Sequence, residues 1–443
     1  MQLVAYGAQD IYLTGNPQIT FFKVVYRRHT NFAVEAIEQT FNGSAELGKK
    51  FSCTVSRNGD LLHRVYLEAE ITYQATPSTT TATYANGDGF IYDGSEDGTV
   101  GFDLIEYVEL EIGGQCIDKH YGEWMSIWTD LTHASDPKTL LTTMLSVTDT
   151  LVVPAVGGVA GATVGSAAAV NSSGAVVAAD SVFTASGQKL YIPLQFWFCR
   201  NPGLALPLIA LQYHEVKINV QFNSSVALTL PAEIDGSDAA LSVTTSGTVS
   251  VASIDNCCVF CDYIFLDTDE RRRFAQVSHE YLIEQVQFSN SLNAGTSTSA
   301  GESMTTSAEL RFNHPVKELV WTVTGATNGN LVVDDGLLQL NGHDRFKKRD
   351  GDYFTQVQRY QHHSGAPDVV GWENLDEHVY SFALKPEEHQ PSGTCNFSRI
   401  DNAVLSLNFT SVSSSETHTL QVYAVNYNVL RIMSGMGGLA YSN

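Results

Sequence analysis

The chain has 443 residues, 43% of them hydrophobic and 16% charged, and a formal net charge of -23 at pH 7. A single hydrophobic core stops growing at roughly 250–300 residues, so the length predicts two domains, and the composition excludes a disordered chain. A chain with this excess of negative charge repels phosphate, which excludes direct packing of the chain as a whole against nucleic acid.

The N-terminal residues contain neither a basic segment nor a long apolar run, so no signal peptide is expected. The seven cysteines are odd in number and scattered, which favours free thiols and folding in a reducing compartment. Residues 150–179 carry no charge and are long enough to cross a bilayer, but they consist mainly of small residues and include Pro154. We therefore expect a surface loop with short strands there, and a membrane-active segment is the alternative.

Short runs rich in Val, Thr, Phe and Tyr, bounded by Gly, Asn, Asp and Pro, follow one another along the chain and predict an all-β protein. The predicted strands are residues 51–55, 64–72, 106–112, 215–222, 256–266, 404–409 and 420–430. The main predicted helix is residues 118–131, in which Trp124, Ile127, Trp128 and Leu131 recur at three- and four-residue spacing.

Four segments of the first half return, in the same order, in the second half. Residues 37–41 return as 283–288, 110–115 as 338–343, 191–194 as 380–383, and 262–266 as 426–430. The separation between matched segments shrinks along the chain, because the first copy carries extra residues in three low-complexity loops. These loops are residues 75–103, 142–187 and 223–252.

The simplest interpretation of this repeat is that the chain contains two copies of one β unit. Each unit is too long for a solenoid or propeller repeat and suits an eight-stranded jelly roll. The sequence therefore predicts two tandem jelly rolls with a few short helices. The predicted divisions are an N-terminal arm (1–26), a first jelly roll (27–268), a second jelly roll (269–433) and a flexible Gly-rich C-terminal tail (434–443). The charged residues 267–273 are expected to form a solvated connector.

The chain opens with Ala-Tyr-Gly-Ala-Gln-Asp at residues 5–10 and Tyr-Leu-Thr-Gly-Asn-Pro-Gln-Ile-Thr-Phe-Phe-Lys at 12–23. Other long segments are residues 202–216, 262–267, 392–402 and 426–435. Together these segments resemble the major capsid proteins of nucleocytoplasmic large DNA viruses, and most of all those of the algal-virus branch. The resemblance covers both ends and the middle of the chain and fails only in the low-complexity loops.

The resemblance implies a structural capsid protein with a double jelly-roll fold. It implies homotrimers whose six jelly rolls form a pseudo-hexagonal capsomer, and capsomers that tile the icosahedral shell of a virion after synthesis and assembly in the host cytoplasm. The long first-copy loops would face outward, and the arm would lie on the inner side, near an internal virion membrane. There the basic residues 23–28 are expected to contact minor capsid proteins or neighbouring subunits, with a nucleic-acid arm as the alternative.

The cysteines do not predict a metal site. Cys258 and Cys261 form a Cys-x-x-Cys motif, but on a strand they would point to opposite faces, and the sequence has no second Cys or His pair at a zinc spacing. We therefore expect Cys257, Cys258 and Cys261 to be buried structural thiols.

Enzyme motifs are incomplete. The His-Glu pairs at residues 214–215 and 279–280 lack the second histidine of a metalloprotease, and adjacent His362 and His363 would diverge on a strand. Residues 93–98 resemble the first half of a calcium loop, but Leu104 stands where the bidentate Glu would be needed, so an EF-hand is excluded and only a looser surface calcium site remains open. No enzyme activity, cofactor or metal is predicted.

Asn-x-Ser/Thr sequons mark candidate N-glycosylation sites. They occur at Asn42, Asn171, Asn223, Asn396 and Asn408. A protein made in the cytoplasm does not normally meet the host glycosylation machinery, whereas the resemblance implies surface glycans that are not always attached at sequons.

Two alternatives to a major capsid protein stay open at this point. One is a minor or paralogous capsid protein of the same virus type. The other is a carbohydrate-binding β-sandwich module, for which aromatic-rich loop tips would be expected, whereas the long loops here consist mainly of Gly, Ala and Ser.

Overall fold

The structure, a computed structural model, describes residues 7–24, 26–77, 90–92, 100–146, 151–153, 169–170, 176–177, 183–228, 232–234, 247–289, 291–325, 329–330, 333–365, 377–411, 415 and 417–441. Antiparallel β-sheets dominate the described residues and form two sandwiches that follow one another along the chain. The predicted fold class, all-β with two tandem jelly rolls, is confirmed.

Among the described residues, the first half of the chain contains fifteen strands, several of them short and five of them in two small separate sheets. They are β1 (Phe32–Thr40), β2 (Lys50–Thr54), β3 (Leu61–Pro77), β4 (Phe90–Tyr92), β5 (Ile105–Ile112), β6 (Gln115–Tyr121), β7 (Leu151–Val153), β8 (Ala169–Val170), β9 (Val176–Val177), β10 (Phe183–Pro193), β11 (Leu206–Pro207), β12 (Val216–Phe222), β13 (Ala227–Leu228), β14 (Ala232–Ile234) and β15 (Gly247–Leu266). The helices of this half are α1 (Ile11–Thr14), α2 (Val100–Asp103), α3 (Gly122–Thr132), α4 (Ser135–Leu145) and α5 (Trp197–Arg200), and a 3-10 turn spans Pro202–Leu204.

Eight of these strands form two antiparallel sheets, with the orders β1-β15-β3-β10 and β2-β12-β5-β6. The pairing is nested: β1 pairs with β15, β2 with β12, β3 with β10, and β5 with β6. Nested pairing of strands that are distant in sequence, across two sheets, is the topology of a jelly roll.

The second sandwich follows helix α6 (Thr268–Gln276). Its strands are β16 (His279–Phe288), β17 (Leu292–Thr296), β18 (Ser303–Glu309), β19 (Pro315–Gly325), β20 (Gly329–Asn330), β21 (Val333–Leu340), β22 (His343–Asp344), β23 (Arg349–Asp350), β24 (His378–Ser381), β25 (Cys395–Asn396), β26 (Ala403–Thr410), β27 (Thr417–Met433) and β28 (Met436–Leu439). A π-helical turn (Tyr353–Val357) leads into helix α7 (Gln358–His362), and a 3-10 turn spans Phe397–Arg399.

The two sandwiches have the same topology. In the second one β16 pairs with β27, β18 with β26, β19 with β24, and β21 with β22. The four repeated sequence segments lie on equivalent strands of the two sandwiches: on β1 and β16, at the β5–β6 and β21–β22 turns, on β10 and β24, and on β15 and β27. The repeat interpretation is therefore confirmed by the strand pairing.

The β5–β6 and β21–β22 turns show how a matched segment specifies the same local structure twice. Gly113 and Gly114 have φ values of 59° and 87°, and Asn341 and Gly342 have 52° and 75°. Two successive positive φ angles are characteristic of the tight hairpin turns that join twisted antiparallel strands, and Gly and Asn adopt them most easily.

Alternating apolar residues fill both sandwiches. On β5, Val108, Leu110 and Ile112 point into the first core, and on β26 Leu405 and Phe409 point into the second. Burying an aliphatic or aromatic side chain of this size contributes about 1.5–3 kcal/mol. Each core is continuous between its two sheets, so each sandwich has the packed interior of a domain.

The start of the main helix was predicted wrongly. Residues 118–121 belong to β6, where Asp118 pairs with Leu110, and helix α3 begins only at Gly122. The β5–β6 hairpin extends the sheet through these residues, whereas the three- and four-residue apolar spacing applies from Trp124 onward.

The charged, solvated connector predicted at residues 267–273 forms most of helix α6, which the sequence did not predict. Asp267 accepts a hydrogen bond from the Thr268 amide at the start of α6, and acidic residues in the first turn and Arg273 in the last complement the helix dipole. No residue of α6 is buried, so the helix is exposed as expected.

Strands and helices also extend into the predicted loops. Strand β3 continues to Pro77, β10 and β15 begin at Phe183 and Gly247, and α2 and the end of α4 lie inside segments predicted to be loops. Among the described residues, no helix is long and apolar enough to span a membrane. The candidate calcium loop at residues 93–98 and most of residues 150–179 lie outside the described residues.

Candidate functional site between the two sandwiches

Helix α3 of the first sandwich packs on the outer face of sheet β16-β27-β19 of the second. Its apolar stripe, predicted from the sequence, is buried there together with five side chains of the second sandwich. The cluster contains Trp124, Ile127, Trp128, Leu131, Val286, Val320, Val379, Tyr423 and Val425. The ring centroids of Trp124 and Tyr423 are 5.3 Å apart. This apolar contact fixes one sandwich against the other.

Hydrogen bonds surround this apolar cluster. The Glu123 carboxylate accepts hydrogen bonds from the hydroxyls of Thr322 and Tyr423, each at 3.2 Å. Burial raises the pKa of Glu123, and burial together with the neighbouring Glu123 raises the pKa of Tyr423 well above its usual value. The start of α3 is therefore joined to the second sandwich by polar as well as apolar contacts.

The far end of α3 carries a buried ion-pair network. Asp130 pairs with Lys138 of α4 and with Arg359 of α7, and the guanidinium of Arg359 lies 3.4 Å from Glu377. The side chains of Lys138 and Glu377 are fully buried. Burial and the adjacent Asp130 carboxylate raise the pKa of Glu377 well above its usual value. The network links helices of both sandwiches.

The segment that follows α7 approaches α3 more closely than a side chain would allow. The Gly365 amide donates to the Leu131 carbonyl (2.8 Å), and a Cβ at Gly365 would lie 2.0 Å from the carbonyl oxygen of Asp130. The Ser364 hydroxyl donates to the Thr132 carbonyl at 3.2 Å. A glycine is required at position 365 by this contact between backbones.

A second ion-pair network surrounds Glu284 of β16. Its carboxylate lies 3.2 Å from Arg200 and 2.9 Å from the buried Lys317. Although burial opposes ionisation, the neighbouring His389, whose Nδ1 atom lies 3.8 Å from the carboxylate, and the charges of Lys317 and Arg200 lower the pKa of Glu284 to about 2. The Arg200 guanidinium also lies 4.5 Å from the ring centroid of Trp128, which connects this network to the apolar cluster.

His363 lies between two carboxylates. Its Nε2 atom is 3.2 Å from Glu318 and its Nδ1 atom is 3.3 Å from Glu387, and the imidazole is fully buried. Although burial opposes protonation, the nearby carboxylates of Glu318 and Glu387 raise the pKa of His363 to about 9. His363 is thus a buried imidazolium at neutral pH. Helix α7 ends at His362, and His363 follows it with extended backbone.

The C-terminal residues make a third contact between the sandwiches. The prediction of a flexible tail at residues 434–443 is therefore wrong for the first part of this segment. Residues 436–439 form β28, which pairs with β27. The Tyr213 amide donates to the Gly435 carbonyl (2.9 Å), and the Gly437 amide donates to Nδ1 of His214 (3.2 Å). Ser434 and Gly435 have φ values of 54° and 79°, which allow the tight turn before β28.

The N-terminal arm carries several large apolar side chains that are exposed to solvent. Phe21, Phe22 and Tyr26 are 89%, 99% and 86% exposed. Among the described residues, the hydrogen bonds of the arm are formed between arm residues, as between the Gly7 amide and the Asp10 carboxylate. Exposed clusters of large apolar side chains are typical of surfaces that are covered in an assembly.

The cysteines lie where the strand alternation predicts. Cys257 and Cys261 face the first core, and Cys258 points to the opposite face of β15. All seven cysteines lie in described residues and are free thiols. Burial raises the pKa of the Cys258 thiol to about 11, and it also raises the pKa values of Cys257 and Cys261. In the described part of the chain, no group of three or more His, Cys, Asp or Glu residues is arranged to hold a metal ion.

The candidate glycosylation sites differ in accessibility. Asn42 and Asn396 are exposed, although the Asn396 side chain accepts a hydrogen bond from the Ser398 amide. Asn223 donates to the Asp103 carbonyl at 2.6 Å. Asn408 lies on the central strand β26 and accepts a hydrogen bond from Thr305 at 2.7 Å. Asn171 lies outside the described residues.

The sequence analysis missed the ion-pair networks between the sandwiches. Asp130 and Arg359 are 229 positions apart, so no motif of fixed spacing connects them. The one available signal was the apolar stripe of α3, which predicted a buried helix but not what covers it.

Two family models match consecutive parts of the chain. A model described as "Major capsid protein N-terminus" matches residues 20–267, and one described as "Large eukaryotic DNA virus major capsid protein" matches residues 270–438. The chain is 49% identical to the major capsid protein of Pyramimonas orientalis virus and 41% identical to that of Paramecium bursaria Chlorella virus 1, over 100% of this chain and 99% of each relative. A chain of the solved PBCV-1 virus capsid is 36% identical, has a TM-score of 0.65, and matches over 96% of this chain and 100% of its own length.

Proposed function

The chain belongs to the major capsid proteins of large eukaryotic DNA viruses, and from this premise we propose how it assembles. It is a structural component of the virion capsid and not an enzyme. The proposed unit of assembly is a homotrimer, in which three chains contribute six jelly rolls to a pseudo-hexagonal capsomer. Such capsomers would tile the icosahedral shell.

The observation that carries this proposal is the equivalence of the two sandwiches within one chain. They have the same strand topology, and buried contacts of α3, α7 and β28 hold them together. Three chains around a three-fold axis would therefore present six similar blocks. A ring of this kind closes by joining unlike patches head to tail, and its near-six-fold outline lets one gene product tile a large surface.

The buried junction suits this role because a pseudo-hexagonal outline requires a fixed angle between the two sandwiches. Breaking a buried ion pair by removing one partner typically costs about 3–5 kcal/mol. The networks around Asp130 and Glu284, together with the apolar cluster of α3, would resist any change in that angle.

For the partners, we propose that the N-terminal arm contacts minor capsid proteins or neighbouring capsomers on the inner face of the shell. The exposed Phe21, Phe22 and Tyr26 offer apolar area, and Lys23, Arg27 and Arg28 add positive charge. The net charge of -23 disfavours direct contact with the genome. An internal membrane between shell and genome, as the family resemblance implies, would be consistent with that charge.

We also propose the division of the chain given by the sequence: an arm (1–26), a first jelly roll (27–268), a second jelly roll (269–433) and a C-terminal segment (434–443). The long loops of the first jelly roll would face outward in the capsomer. Exposed sequons, in particular Asn42, would be the positions at which a glycan could be attached without disturbing a sheet.

Light scattering on the purified protein tests the proposed trimer. We expect a particle of about 145 kDa, three times the chain mass of 48.3 kDa, that persists on dilution. A folded protein that remains at the mass of one chain at all concentrations would contradict the proposal.

A further inference from the structure

We propose that helix α7 of one copy docks on the outer face of sheet β1-β15-β3-β10 of a second copy. This inference rests on the proposed trimer and names the surfaces that would build it. The argument comes from the contact that the chain already makes between its own two sandwiches.

Within the chain, the helix that follows β6 in the first sandwich covers the outer face of the equivalent sheet in the second. That helix is α3, and it contacts strands β16, β19, β24 and β27 through Val286, Val320, Val379, Tyr423 and Val425. In the second sandwich the same topological position, between β22 and β24, is occupied by the π-helical turn and α7. The matching contact, α7 on the outer face of sheet β1-β15-β3-β10, would join two copies.

Helix α7 is held on two sides and open on a third. Phe354 in the preceding turn is buried in the second core, and Arg359 binds Asp130 of the first sandwich. Val357 and Tyr360 are 41% and 90% exposed. Leu384, whose carbonyl oxygen lies 3.1 Å from Nδ1 of His362 at the end of α7, is 74% exposed. A fixed helix with exposed aromatic and aliphatic side chains is suited to docking, because little conformational entropy is lost when it binds.

The outer face of sheet β1-β15-β3-β10 carries apolar or aromatic side chains from every strand, together with charged ones such as Glu68 and Asp262. The apolar and aromatic set includes Val34 on β1, Phe260 on β15, Tyr66 on β3 and Tyr191 on β10, and the strand registers place them on the side opposite the core. The rings of Tyr66 and Phe260 stack at 5.1 Å. Val34 is 53% exposed and Tyr191 is 37% exposed.

A groove of about 880 Å³ opens beside this face and gives the docking helix a place to enter. Tyr66 and Tyr191 line one part of it, and Leu140 and Met144 of α4 line another. Leu140 is 65% exposed. The groove thus combines aromatic and aliphatic side chains with charged ones such as Arg64 and Asp262.

The partner that docks on this sheet face is a second copy of this chain, because the repeat within the chain supplies the matching surface. Each copy carries one open helix and one open sheet face among its described residues. These patches differ, so the contact is head to tail, and a series of such contacts closes into a ring. Each chain contributes two equivalent sandwiches, so a ring of six sandwiches is closed by three chains.

A photo-crosslinking experiment tests this contact on the full chain. Tyr360 is replaced with p-benzoylphenylalanine, which keeps an aromatic ring at that position, and crosslinked peptides are identified by mass spectrometry after irradiation. We expect crosslinks between chains that end on β3, β10, β15 or α4. The matched control places the same probe at Tyr213, which is 76% exposed, and is expected to give none on those elements.

The outcomes separate this inference from the proposed trimer. A trimer in which the probe at position 360 crosslinks elsewhere, or not at all, would overturn the inference and leave the trimer intact. A protein that stays monomeric would overturn both. As a second measurement, Tyr360→Asp should weaken trimer association roughly 30-fold or more, as expected for an aromatic hot spot, whereas Val277→Asp in the connector should leave it unchanged.

Discussion

The guanidinium of Arg359 in the second sandwich binds the carboxylate of Asp130 in the first, and it also donates to the Asp130 carbonyl at 3.0 Å. This contact joins the C-terminal end of α3 to α7 across 229 positions of sequence. Because Glu377 and Lys138 complete the network out of solvent, removal of any one charge leaves the others uncompensated.

Replacement of this arginine tests the network. Arg359→Met removes the charge and keeps most of the side-chain volume, and we expect the free energy of unfolding to fall by about 3–5 kcal/mol, since Asp130 and Glu377 lose their shared partner. Denaturant unfolding monitored by tryptophan fluorescence measures the change. Arg431→Met, which removes an exposed ion pair with Glu280, is the control and should change stability by less than about 1 kcal/mol. Equal effects of the two substitutions would mean that the network does not stabilise the junction.

The pH dependence of stability should reveal the buried imidazolium of His363. The pKa of this histidine is raised from 6.5 to about 9 in the folded protein, so its contribution to stability is fully present below pH 6.5 and is lost as the pH rises toward 9. We therefore expect His363→Gln to be less stable than the parent protein at pH 6.5, and the difference to shrink as the pH approaches 9.

Urea unfolding at a series of pH values between 6 and 10 measures this difference. His362→Gln, at the neighbouring position, is the control and should follow the parent profile. A deficit of His363→Gln that is independent of pH would show that Glu318 and Glu387 do not hold the imidazole in its charged form.

The apolar cluster of α3 should couple the unfolding of the two sandwiches. Trp124→Ala leaves a cavity beside Tyr423, and a loss of about 3–5 kcal/mol is expected for a large aromatic in a core. Calorimetry should then resolve two transitions where the parent protein shows one, because the sandwiches lose their main shared contact. Val277→Ala, at a position that is 54% exposed, is the control and should retain a single transition. A single, unshifted transition for Trp124→Ala would argue against this coupling.

Deletion of the arm should separate folding from assembly. The described arm residues are exposed, so a chain lacking residues 1–26 should keep its melting temperature within about 1 °C and should still form the trimer. We expect the same chain to be excluded from virions when it competes with the full-length protein in infected cells. Incorporation of the shortened chain at the same level as the full chain would show that the arm has no role in the shell.

The mass of the polypeptide from virions tests the glycosylation sites. A mass above 48.3 kDa that returns to the bare value in Asn42→Gln would identify that exposed sequon as an attachment site. Asn408→Gln is the comparison, since Asn408 lies within a sheet and should not carry a glycan. A mass equal to that of the bare polypeptide would remove all five candidates.

Local patterns predicted the parts of the fold that depend on neighbouring residues. The spacing of Trp124, Ile127, Trp128 and Leu131 predicted a helix with a buried stripe, and the repeated segments predicted two sandwiches of one topology. Helix α6 was not predicted, because its run of charges indicated only a solvated connector; in the structure, capping and the helix dipole stabilise a short exposed helix there. Strand β28 was missed because Gly-rich sequence also occurs in flexible tails.

The junction could not be predicted, since its contacts depend on how the two sandwiches are oriented. The partners of Asp130, Glu284 and His363 come from strands and helices that are distant in sequence. Individually each of these residues resembles the solvated charged residues found throughout the chain, and only the tertiary structure shows that they are buried and paired.

The central claim is that two equivalent sandwiches per chain build a six-block capsomer. Electron microscopy of the purified protein tests this claim most directly. We predict class averages with a hexagonal outline and three-fold symmetry, in which six similar densities surround the axis. Particles with two densities, or assemblies in which the sandwiches of one chain occupy unlike positions, would contradict the account.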